Sequence, residues 1–129
     1  MIELMVVIFL VAFLTLLAVL SYRNYMLRAR VSEGFILAST AKNAIGEYVD
    51  DKNTFPANQN DTGYTGITPT VNVSSIEIAN DGSGEIIITY TPVAGEGTII
   101  LKPDISDKSI SWSCKGGTMA VQYRPSVCR

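Results

Sequence analysis

A chain of 129 residues has room for one domain and one hydrophobic core. Its net charge of −2, from 10 basic and 12 acidic side chains, argues against nucleic-acid affinity for the chain as a whole. The absence of histidine removes the commonest general base and the commonest zinc ligand together.

Met1 to Asp50 reads as a single long helix, and Leu4 to Leu20 is apolar at every position but Thr15. No proline precedes Pro56 and no glycine precedes Gly34, so nothing in the first half kinks or ends it. At about 1.5 Å per residue the segment extends roughly 70 Å, more than a small domain can cover. Much of it must project, and about 17 to 20 apolar residues suit either a bilayer or burial among other helices. The run lacks a basic stretch before it and a small-x-small cleavage site after it, so it is expected to stay with the mature chain. Glu3 is its only ionisable side chain. The carboxylate either favours the positive end of the helix dipole, or becomes buried in an assembly that must supply a cation.

From Tyr22 to Asp50 the pattern is amphipathic: Leu27, Val31, Gly34, Ala38, Ala41, Ile45 and Tyr48 form one stripe with a small-residue middle, where a sheet can lie close. Arg28, Arg30 and Glu33 form a compact charged group on other faces, expected to be solvated and weakly paired. Asp51 to Thr70 is a loop by composition, either a disordered tip or a packed surface loop. Strands are predicted over Val71 to Ala79, Glu85 to Thr91, Thr98 to Lys102 and Ser109 to Cys114. Asn80 to Gly84, Pro92 to Gly97 and Pro103 to Lys108 are read as the turns between them. Short turns make the neighbours antiparallel, and Ile86, Ile88 and Tyr90, with Ile110, Trp112 and Cys114, give each strand one face for the helix. Gly82-Ser83-Gly84 and Gly95-Glu96-Gly97 join strands without opening a helix, so they are hairpin turns and no phosphate-binding motif. Asp50 with Asp51, and Asp104 with Asp107, read as solvated loop acids. No enzymatic chemistry, metal or cofactor is expected.

Cys114 and Cys128 either bridge a loop that has few apolar residues of its own or remain free thiols in a cytosolic protein. A bridge places the polar part outside the cytoplasm. Arg23, Arg28 and Arg30, directly after the apolar run, would instead hold that end inside. The cysteines carry more weight, because a processed upstream segment can supply the charges that set orientation.

The stretch Ile2-Glu3-Leu4-Met5-Val6-Val7, the apolar run, Tyr22-Arg23-Asn24-Tyr25 and Arg28-Ala29-Arg30-Val31-Ser32-Glu33-Gly34 closely resemble the start of bacterial type IVa pilins. The C-terminal cysteine pair after about four strands matches the same family's layout, with Trp112-Ser113-Cys114 the best local marker. The resemblance implies an α+β fold: a long spine helix packed by its C-terminal half on a roughly four-stranded antiparallel sheet, followed by the disulfide-bounded loop Cys114 to Cys128. Residues 1–22 would be the protruding apolar helix and residues 23–129 the head. It also implies a subunit that waits in the inner membrane and then packs Leu4, Val7, Ile8, Val11, Leu14, Leu17 and Leu20 into the core of an extracellular homopolymer. Glu3 matches the family glutamate that neutralises a neighbouring subunit's N-terminal amine, while Arg28, Arg30 and Glu33 are candidates for charge contacts between subunits. The partners implied are identical subunits, the pilus assembly machinery, a prepilin peptidase and surface or host receptors.

Three departures stand out. Met1 occupies the place of the family's third mature residue, the leader is missing, and Ala12 and Leu20 stand where glycine and proline are common. The leading reading is a major pilin for adhesion and twitching motility. Alternatives are a minor pilin or secretion pseudopilin, and a DNA-uptake pilin using Lys115, Tyr123, Arg124 and Arg129 as a basic stripe.

Overall fold

The computed structural model describes all 129 residues. Helix α1 spans Ile2–Lys52 without a break. It ends where the sequence turns polar: Asn53 enters the left-handed region (φ 55°), and its N–H donates to the Val49 carbonyl at 2.7 Å. The strands are β1 (Val73–Ile78), β2 (Ile86–Tyr90), β3 (Gly97–Ser106) and β4 (Ser109–Gly116), forming an antiparallel meander in the order β1-β2-β3-β4. The spine helix on a four-stranded antiparallel sheet is the architecture expected.

The core lies between one stripe of α1 and one face of the sheet. Val31, Gly34, Ala38, Ala41, Ile45 and Val49 are the buried helix positions. They meet Val73, Ile76 and Ile78 of β1, Ile86, Ile88 and Tyr90 of β2, and Ile99 and Leu101 of β3. Each buried aliphatic side chain contributes roughly 1.5–3 kcal/mol over leaving it in water. The stripe ends on Val49 rather than Tyr48, and Leu27 and Tyr48 are only half-buried. A repeat of 3.6 residues makes the step after Ile45 four, which places Val49 over the sheet. The small middle allows close approach: a β-carbon at Gly34 would collide with the Tyr90 hydroxyl, which donates to the Val31 carbonyl at 2.8 Å.

Each strand differs from expectation at one or both ends, β2 by a single residue on either side. β1 starts at Val73 because the Thr70 hydroxyl accepts the N–H groups of Asn72 and Val73, capping the turn before it. β4 runs on to Gly116. β3 continues through Pro103 to Ser106, so Pro103 to Lys108 is not a turn. Only Asp107 and Lys108, with φ 47° and 65°, make the reversal. Pro103 is tolerated because β3 pairs with β2 no further than Leu101, leaving β4 as its single neighbour.

The 51–70 segment is the packed alternative, not a disordered tip. Asn58 and Asp61 cap its short 3-10 turn, Gln59–Thr62, reciprocally. Gln59 accepts from the Ile78 N–H at 2.9 Å and donates its own N–H to Asn80, so the loop covers the end of edge strand β1.

Candidate assembly surface

The first half of α1 projects from the head with its side chains bare. Every residue from Met1 to Tyr25 is exposed, and burial begins only at Met26. The predicted contact residues keep most of their surface, from 51% for Leu17 to 67% for Leu4. They are not distinguished from Phe9, Leu10, Phe13 or Leu16 on other faces, which are equally bare. At roughly 1.5–3 kcal/mol for each side chain removed from water, the seven predicted residues alone make an aqueous resting state untenable. Glu3 sits in the first turn, exposed, with no partner within the chain.

Arg28, Arg30 and Glu33 do not form a local charged group. Arg28 Nε donates to the Gln122 carbonyl at 2.8 Å, and Arg30 Nη1 donates to the Val93 carbonyl at 2.7 Å. Glu33 accepts from the side-chain amide of Asn72. Thr70 and Asn72 beside it hold its carboxyl below the usual carboxylate range. Three residues within about a turn and a half of α1 thus fasten three separate segments of the head to the neck of the helix. Sequence spacing suggested mutual pairing; the long side chains reach outward instead.

Comparison with known proteins agrees with this geometry. The family model for pilin, a bacterial filament protein, matches residues 27–129. The chain belongs to the pilin family. Among similar proteins is the fimbrial protein EcpC of Eikenella corrodens, 36% identical over 138 residues that cover 100% of this chain and 88% of the relative. A fimbrial protein of Neisseria meningitidis serogroup A is 37% identical, over 88% of this chain and 69% of its own. The type IV major pilin protein PilE1 of Neisseria gonorrhoeae is 36% identical over 85% of this chain, which spans 46% of that relative. This pilin is a structural subunit of a type IV pilus.

The C-terminal loop of the pilin is fastened twice. Cys114 and Cys128 are joined, and Cys128 is buried. Arg124, only 6% exposed, places its guanidinium against three alternate carbonyls: Nη1 on Lys115, Nη2 on Gly117 at 2.8 Å and Nε on Met119 at 2.9 Å. The proposed basic stripe therefore does not exist as a surface. Arg124 faces inward, Tyr123 packs against Gly95, and only Lys115 and Arg129 remain outside. The sequence held little to announce Arg124, since an arginine near glycines and a proline usually reads as loop solubility. Lys42, 5.4 Å from the Trp112 ring centroid, was equally hidden. Burial pushes its ammonium down from the ordinary lysine value.

Proposed function

We propose that this pilin is a major subunit, held in the inner membrane by Ile2–Leu20 and then polymerised through the same segment into an extracellular filament. The bare apolar half-helix supports the reading best: it matches a bilayer in length, and other copies of itself are an equally apolar cover. Residues 1–22 would act as anchor and filament core, with Leu4, Val7, Ile8, Val11, Leu14, Leu17 and Leu20 among the buried contacts, and residues 23–129 as the displayed head. Assembly machinery and a prepilin peptidase are the partners such a life cycle requires; adhesion and twitching motility are its outputs. Arg28 and Arg30 are spoken for within the subunit, but each retains N–H groups and full charge for a neighbour.

In this role Glu3 meets an amine of the adjacent subunit. An unpaired carboxylate among Leu4, Val7 and Ile8 of neighbouring helices costs several kcal/mol, and one axial offset removes that cost, so the pair sets register. Glu3→Ala and Glu3→Gln should leave the head folded and the subunit in the membrane while sharply lowering the ratio of sheared pili to total subunit. A carboxylate placed only for the helix dipole is worth under about 1 kcal/mol and predicts normal fibres. Wild-type piliation by both variants defeats the register role.

A further inference from the structure

Where α1 leaves the head, its neck and the underside of the head enclose a cleft of about 630 Å³. Tyr22, Arg23 and Arg30 line the helix side; Val93, Glu96 and Tyr123 line the other. Arg30 is tethered to the Val93 carbonyl, but Arg23 makes no hydrogen bond or ion pair, and neither does the carboxylate of Glu96. Arg30 keeps its positive charge, so the recess presents two cations, of which Arg23 is unengaged, and one unpaired carboxylate, with aromatic walls from Tyr22 and Tyr123.

The recess stands at a defined height. Leu20 closes the apolar run, so Tyr22 lies about 3 Å and Arg23 about 4.5 Å farther along the axis. A headgroup layer is roughly 5–7 Å deep on each side of the hydrocarbon, so both residues on the helix side of the cleft fall within it. Tyrosine and arginine at this level are the residues that settle among headgroups. A glycerol headgroup offers the same phosphate to the arginines but only neutral hydroxyls to Glu96. A choline headgroup carries a cation with no N–H to donate. An ethanolamine headgroup brings a phosphate for Arg23 and, a few ångströms farther from the bilayer, an ammonium with three donors for Glu96.

We infer that this cleft seats the headgroup of an aminophospholipid, phosphate on Arg23 and ammonium on Glu96, while the subunit resides in the membrane. The inference rests on the membrane residence proposed above. Both contacts are exposed and weak, which suits a lipid that must be left behind when the subunit enters a filament.

The test places the full chain in nanodiscs of equimolar phosphatidylethanolamine and phosphatidylglycerol with identical acyl chains, and counts retained lipids by native mass spectrometry. Phosphatidylethanolamine should be favoured by about two- to fivefold, the range expected for one exposed charge contact. Glu96→Gln should erase the preference, and Arg23→Gln should lower retention of both lipids; an intact disulfide and unchanged helical circular dichroism show that each variant is folded. Equal retention by the wild type, preference for phosphatidylglycerol, or a preference that survives Glu96→Gln overturns this inference alone. Failure of the chain to insert overturns it together with the membrane reading.

Discussion

The contact between Gly34 and Tyr90 ties the spine to the sheet through a single hydroxyl. Burial, aided by the negative charge of Glu33, pushes the Tyr90 phenol well above the ordinary tyrosine range. The fold favours the neutral phenol, whereas the unfolded chain releases its proton near pH ~10. The stability this contributes is complete below about pH 10 and is lost as pH rises beyond it. Tyr90→Phe should therefore cost about 0.5–1.5 kcal/mol at neutral pH, for one hydrogen bond, and flatten the decline between about pH 9 and 11. Burial pushes the Tyr64 phenol up and the Lys42 ammonium down, but both groups are common to the two proteins, so the difference isolates Tyr90. Denaturant unfolding as a function of pH provides the measurement, and parallel slopes would count against the account. Gly34 was legible as a place of close approach because it sits among alanines on a helix stripe; its partner was not, because a tyrosine on a strand does not declare which carbonyl its hydroxyl will find.

At the scale of elements, the C-terminal loop carries two fasteners of different kind. The disulfide limits the unfolded chain and, for a loop of this size, contributes about 3 kcal/mol. Arg124 acts in the folded state, and removing it takes the donor from a buried carbonyl, that of Met119, and from the half-buried contacts at Lys115 and Gly117. Arg124→Ala is expected to destabilise the head by about 3 kcal/mol or more and to slow pairing of Cys114 with Cys128 in refolding, as thiol trapping would show. A variant that pairs its cysteines at the wild-type rate would restrict Arg124 to a packing role. The helix, the four strands and the cysteine bridge could be read in advance, because periodicity and spacing encode them locally. The length of β3 could not. Its reversal uses Asp107 and Lys108 in left-handed conformations without a glycine to mark them, and Pro103 reads as a stop unless the neighbouring strand is known to be short. The three-way reach of Arg28, Arg30 and Glu33 was hidden for the same reason: their partners lie 94, 63 and 39 residues away in sequence.

For the whole molecule the central fact is that α1 is one rod of 51 residues. Alanine at position 12 and leucine at position 20 favour the helix, whereas glycine and proline there would disfavour it by about 1 and 3 kcal/mol. We expect the segment to remain helical in the assembled filament. A map at side-chain resolution showing extended backbone between Ala12 and Leu20 would contradict this, since packing would then have overridden the intrinsic preference. The same continuity decides where tension travels. A pull that enters along the apolar half runs straight up the axis, and the sheet is bolted to the side of the rod between Val31 and Val49 rather than spliced into it. Strands, surface loop and disulfide lie off the line of force, mechanically idle, so the displayed face can be rebuilt residue by residue without thinning the thread that holds it.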